Sequence, residues 1–291
     1  MIVAKKQYYF DQKKCFTMNF LLSLCFIASS LIAYEGGNGK ALLLTLNSPN
    51  GVVSFHERNI TVLPHPLNPD HGFVILPLDY YTPPSLIEGL WSAPDGNLSL
   101  AIEISKVSYP TEILVVESAK VTPPPETLER IAQEKAQAEK IYATYTPRRY
   151  WSKPFIRPIE SITTSEYGSA RTYNGTLKSY HGGVDFRAKT PLPILASNDG
   201  VVVLAQDRYY SGGTVIIDHG EGLYTCYFHF SQLDVKVGDS VTRGQNIGLS
   251  GATGRITGPH LHFGVMIHAI QSDPVDLFSQ INRLFDEKVI F

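Results

Sequence analysis

Leu98, Leu100, Ile102 and Ile104 alternate with more polar neighbours over 98–105, the period-two signature of a strand with one face buried. Shorter runs rich in β-branched and aromatic residues precede it at Leu42–Leu46, Gly51–Phe55, Asn59–Leu63 and Phe73–Leu76, punctuated by turn pairs such as Pro49-Asn50 and Asp95-Gly96. Together they predict a small β-sandwich over 34–122. Pro123-Pro124-Pro125 ends that region. Leu128, Ile131 and Ala132 then share one helical face among residues of high helix propensity, which predicts a linker helix and extended segment over 123–160. A second β-rich region follows, with strands expected at Gly200–Ala205, Thr214–Asp218, Tyr224–Phe230 and His260–His268, and a helix from Pro274. The predicted class is mainly β: an antiparallel β domain over 161–291, preceded by a small β-sandwich and a linker helix.

The amino terminus carries a different pattern. Lys5, Lys6, Lys13 and Lys14 precede an apolar run from Phe20 to Ile32, too short for a comfortable span of about 20 residues. Residues 1–33 read as a signal peptide or an uncleaved anchor, which predicts a periplasmic or cell-envelope location. Loss of this segment takes Cys15 and Cys25 with it and leaves Cys226 without an internal disulfide partner. With 25 basic and 27 acidic residues and no long run of either sign, the chain lacks the electrostatic footprint of a nucleic-acid binder.

Histidine supplies the candidate chemistry, because six of nine fall late: His181, His219, His229, His260, His262 and His268. His260 and His262 flank Leu261 at the start of a predicted strand and should project from one face, with Leu261 and Phe263 on the other. His181 and Asp185 would stand about 13 Å apart on a straight strand, too far for one ion. Gly182-Gly183 between them offers a bend through glycine dihedrals. Alternation along Tyr224–His229 groups Thr225, Tyr227 and His229 on one face and Cys226 on the other, so Cys226 is expected to be a buried structural thiol. His219 falls in a predicted hairpin turn and is expected to be structural. His268 lies about 20 Å along its strand from His262, too far to share an ion.

The combination His181-x-x-x-Asp185, His229 after Tyr227, and His260-x-His262 resembles the lysostaphin and LytM type of zinc metallopeptidase, which cuts bacterial peptidoglycan. The similarity covers 162–277 and includes Ser165-Glu166-Tyr167-Gly168 and Gly248-Leu249-Ser250-Gly251. It implies one zinc per chain, held by His181, Asp185 and His262, with His229 and His260 unligated and catalytic. Arg171 and Asn174 become candidates for substrate contact. The implied activity is D,D-endopeptidase cleavage of D-alanyl-diaminopimelate crosslinks, alongside D,D-carboxypeptidase trimming. The partners it implies are peptidoglycan stem peptides and other wall enzymes of the envelope, with the chain itself a monomer. A rival within the resemblance is a catalytically inactive adaptor, disfavoured because no ligand or catalytic position is missing. A lipoyl-type carrier hairpin at 235–248 lacks the Met-Lys tip, and no His-Glu-x-x-His is present to supply a glutamate base. The amino-terminal region is left with two expected roles, restraint of the groove or targeting.

Overall fold

The computed structural model of the chain describes residues 31–94, 96–189 and 191–286. Most of the expected leader lies outside the described residues; residues 31–33 open the strand Leu31–Gly37, which runs parallel to Gly96–Ser105. Among the described residues no helix is long and apolar enough to cross a membrane.

Two sheets form the expected sandwich. One orders Leu31–Gly37, Gly96–Ser105, Ser85–Ala93, Val52–Phe55 and Arg58–Thr61; the other orders Ala41–Leu46, Gly72–Pro77 and Leu63-Pro64. Leu44, Leu76, Leu100 and Ile102 are sealed between them, as the alternation over 98–105 requires. Ser85–Ala93 has no expectation from sequence because apolar residues sit on both its faces: Trp91 is buried, whereas Leu86 is 69% exposed.

The linker helix spans Leu128–Ala143. Its Ile141 and Tyr142 pack on Leu204, Ile216, Tyr224 and Cys226, with the Tyr142 hydroxyl 3.3 Å from Cys226 Sγ. Burial pushes that thiol up to about 12, so Cys226 is the inert, structural thiol expected from sequence.

The second domain is built on a largely antiparallel sheet whose path runs Thr163–Ser165, Val184–Arg187, His260–Ile267, Leu223–Leu233, Gly212–Asp218, Gly200–Arg208 and Ser240-Val241. Tyr227, Phe263 and Val265 line its inner face, where Leu277, Phe278 and Ile281 of the helix Pro274–Asn282 share the core. Asp273 caps that helix by accepting from the Val275 and Asp276 amides, and Pro274 occupies the first turn, where its missing N–H costs nothing. The same helix holds the sandwich: Gln280 bonds the Leu43 amide at 2.9 Å and the Ala41 carbonyl at 2.7 Å. Lys40 adds an ion pair to Asp273 at 3.2 Å.

One strand crosses the expected boundary. Thr111–Leu114, placed by sequence in the sandwich, instead pairs in parallel with Ala170–Tyr173, forming a three-stranded sheet with Leu177–Tyr180.

Candidate metal centre

Val184–Arg187 and His260–Ile267 run antiparallel with Asp185 opposite His262 and Arg187 opposite His260. Cross-strand partners share a face, so Asp185, His260 and His262 project together while Leu261 and Phe263 enter the core. His181 follows the strand Leu177–Tyr180, and the chain turns through Gly182-Gly183 into the next strand. Neither glycine adopts a left-handed φ. A Cβ on Gly183 would lie 2.3 Å from the Phe263 carbonyl oxygen and 2.8 Å from His262 Nε2. Close approach, rather than the unusual dihedrals expected from sequence, is why glycine is needed there.

The result is a triangle of ligand-type atoms. His181 Nε2, His262 Nδ1 and Asp185 Oδ1 stand 2.9 Å from one another. Their common centre is about 1.7 Å from each, just inside the ~2.0–2.2 Å bonds that zinc makes to nitrogen and oxygen. The His181 Nδ1–H donates to the Glu166 carbonyl at 2.9 Å, which leaves Nε2 a bare lone pair. His260 Nδ1 likewise donates to the Gly258 carbonyl at 2.7 Å, and its Nε2 lone pair faces Asp185 Oδ1 at 3.5 Å. Three nitrogens and a carboxylate oxygen thus share at most the one ring proton of His262. Such a cluster repels itself unless a cation occupies its centre, and two imidazoles with one carboxylate leave a further position for solvent or substrate.

His229 reaches the site by a route that alternation does not describe. Tyr227 on the same strand points into the core, where its hydroxyl accepts from the Ser197 amide at 2.9 Å. Continued alternation would bury His229 beside it. Instead His229 takes φ +69°, the pairing to Gly212–Asp218 shifts register, and its ring comes within 4.7 Å of His260 and 6.2 Å of His262. Phe228 stacks on His262 with centroids 5.0 Å apart and planes 7° from parallel. The site therefore belongs to the face of Phe228 and Cys226, and Cys226 is excluded by its burial under Tyr142 rather than by facing away. His229 Nδ1 donates to the Thr253 carbonyl at 2.7 Å, so Nε2 is its free lone pair. Burial first, then repulsion from His260 and His262, pulls its pKa down to about 3.

The triad opens into a groove of about 400 Å³. Arg171, Arg187, Lys189 and Arg255 line it, with Leu114 and Tyr173 as apolar wall. Arg171 donates to Asp185 Oδ2 at 2.7 Å and to Glu112 Oε2 at 2.8 Å. The Arg255 guanidinium lies 4.5 Å over Tyr173 and 4.8 Å over Tyr210. Among the described residues no ion pair involves Arg187, Lys189 or Arg255, so three of the four cations are unneutralised. Asn174 is outside the groove lining: at φ +47° its amide is spent on Val116, accepting from the N–H at 2.9 Å and donating to the carbonyl at 3.0 Å.

The remaining late histidines are elsewhere. His219 is fully buried, held by the Asp199 carbonyl at 2.7 Å and Thr225 Oγ1 at 2.7 Å, which makes it structural as expected. His268 stacks on Tyr145. Glu112, Phe228, Arg187, Lys189 and Arg255 had no assigned role from sequence.

Residues 179–276 match Peptidase family M23, a stretch that holds the triad, His229 and His260 but not Glu112, Ser165 or Arg171. The chain is 48% identical over 87 residues to the peptidoglycan DD-endopeptidase ShyA of Vibrio cholerae, covering 30% of this chain and 20% of that protein. Against ShyB of the same organism, also a peptidoglycan DD-endopeptidase, it is 42% identical over 96 residues, covering 33% and 22%. The chain thus spans about a fifth of the length of these two curated relatives. A crystal structure from Pseudomonas aeruginosa assigned to peptidase M23 aligns with TM-score 0.67 at 26% identity, covering 83% of this chain and 94% of that one, so the likeness extends into the sandwich.

Proposed function

We propose that this chain, which carries a peptidase family M23 domain over residues 179–276, is a zinc-dependent D,D-endopeptidase acting on D-alanyl-diaminopimelate crosslinks of peptidoglycan. The observation that carries this reading is the 2.9 Å triangle of His181 Nε2, His262 Nδ1 and Asp185 Oδ1 on a groove floor, with two further imidazoles beside it. The donor set fits one zinc ion, bound by His181, Asp185 and His262. Bound there, zinc supplies Lewis acidity toward the scissile carbonyl and activates water near neutral pH.

The chain's own groups do the rest. His229 and His260 each fix their Nδ1 proton on a backbone carbonyl and so offer Nε2 as a proton acceptor at the mouth of the triad. Once protonated, the same atoms become donors for the developing oxyanion and the leaving amine. Arg171 neutralises the outer oxygen of Asp185 and fixes its orientation. The unpaired Arg187, Lys189 and Arg255 suit a substrate rich in carboxylates, as stem peptides bearing D-glutamate and diaminopimelate are. Export to the cell envelope, which brings enzyme and wall together, is part of the proposal, as is action as a monomer.

Digestion of purified sacculi by the zinc-loaded chain, with mass spectrometry of the products, tests the reading. Crosslinked dimers should fall to monomers cut at the D-Ala carbonyl. His181→Ala should lose zinc and cutting together, and His260→Ala should keep zinc and lose cutting. A folded, zinc-replete chain that leaves sacculi intact would overturn the enzyme in favour of an adaptor.

A further inference from the structure

The strand Thr111–Leu114 comes from before the linker helix, outside the residues that match the peptidase family, yet it sets Glu112 directly opposite Arg171. The Glu112 side chain binds two groups at once. Its Oε2 accepts from Arg171 Nε at 2.8 Å, and its Oε1 accepts from the Ser165 hydroxyl at 2.6 Å. Both partners also touch a member of the triad: Arg171 Nη2 donates to Asp185 Oδ2 at 2.7 Å, and Ser165 Oγ stands 3.0 Å from His181 Nδ1. Arg171 Nη2 closes the ring by donating to Ser165 Oγ at 2.9 Å. We infer that Glu112 is a positioning residue of the metal centre, supplied by the amino-terminal region and needed for full metal affinity.

Charge and geometry argue together. Without Glu112 the Arg171 cation cancels the single negative charge of Asp185, and a divalent ion is held by the ligand lone pairs without a net coulombic attraction. Glu112 restores one negative charge, and since Arg171 is shared between two carboxylates it draws less density from Asp185. Three side chains locked in a ring of three hydrogen bonds, with a fourth from Arg171 to Asp185, also fix the rotamers of the groups that orient His181 and Asp185. Burial tends to raise the Glu112 carboxyl, but its bonds to Ser165 and Arg171 prevail and keep it ionised. The amino-terminal region therefore has a role besides restraint or targeting: it completes the site.

This inference rests on the metal reading above, and the test separates the two. Zinc affinity is measured by chelator competition on the full chain, with the ligand-field spectrum of the cobalt(II)-loaded protein as a second readout. Glu112→Gln keeps the shape and removes the charge; Glu112→Ala removes both. Roughly tenfold weaker binding is expected for Glu112→Gln and up to about a hundredfold for Glu112→Ala, with a shifted cobalt spectrum. Ile113→Thr, on the same strand but 79% exposed, is the control for disturbance of the strand and should bind as the parent does. Parent-like affinity and spectrum in both Glu112 variants would overturn the inference while leaving the metal site standing. A parent chain that binds no zinc would overturn both.

Discussion

Gly183→Ala places a single methyl group where two strands carrying the proposed metal ligands touch. The new Cβ would meet the Phe263 carbonyl oxygen at 2.3 Å, against the 3.0 Å below which real Cβ contacts are essentially never found. Relief needs about 0.7 Å of separation, and the obstacle is backbone, so Val184–Arg187 must move from His260–Ile267. That movement carries Asp185 away from His262, whereas metal sites tolerate ligand displacements of only about 0.2 Å. We expect zinc affinity to fall by roughly a hundredfold or more and the fold to lose ~1–3 kcal/mol. Gly182→Ala is the companion: its Cβ meets the Gln271 amide at 2.5 Å, the far end of a flexible side chain that can rotate aside. It should cost under about 1 kcal/mol and leave affinity within a few-fold of the parent. Chelator competition gives the affinities, and urea titration of the metal-free proteins gives the stabilities. Equal behaviour of the two variants, or parent-like affinity in Gly183→Ala, would refute the close-approach argument.

Two further outcomes follow from the geometry. Burial lowers the His219 pKa from 6.5 to about 4, so the folded chain favours its neutral form. Its contribution is complete above pH ~6.5 and is lost as the pH falls toward 4, up to ~3 kcal/mol, so a His219→Asn chain measured by urea titration should show a flatter fall in stability between pH 7 and pH 5 than the parent. Arg255→Gln should raise KM for muropeptides with free diaminopimelate carboxylates by roughly 10–100-fold with little change in kcat, and substrates amidated at those carboxylates should bind parent and variant alike.

Much of this architecture could be read along the chain because alternation is a local signal. Leu100, Ile102 and Ile104 announce a half-buried strand within eight residues, and His260-Leu261-His262 announces two imidazoles on one face, as found. Alternation fails where the backbone leaves the extended region. At His229 a single left-handed residue reverses the face, so the site histidine and Tyr227 part company although they stand two residues apart. Local signals also say nothing about a parallel strand delivered from far away: Glu112 and Arg171 are 59 residues apart in sequence, and no property of Thr111–Leu114 in isolation marks it as leaving the sandwich. Gly182-Gly183 was legible as a special position but not for its reason, because the obstruction at Gly183 comes from His262 and Phe263, 79 and 80 residues downstream. The strand Leu31–Gly37 begins where the apolar run from Phe20 to Ile32 ends, and the two patterns run into each other.

The twisted backbone at His229 has an evolutionary consequence. An imidazole held at φ +69° carries a conformational penalty of about 1 kcal/mol or more that glycine escapes and asparagine largely escapes. Exchange of this histidine for glycine relieves that strain and gives up both the imidazole and its bond to the Thr253 carbonyl. In a lineage under no selection for an imidazole beside His260 and His262, only that bond and the local packing would weigh against the exchange.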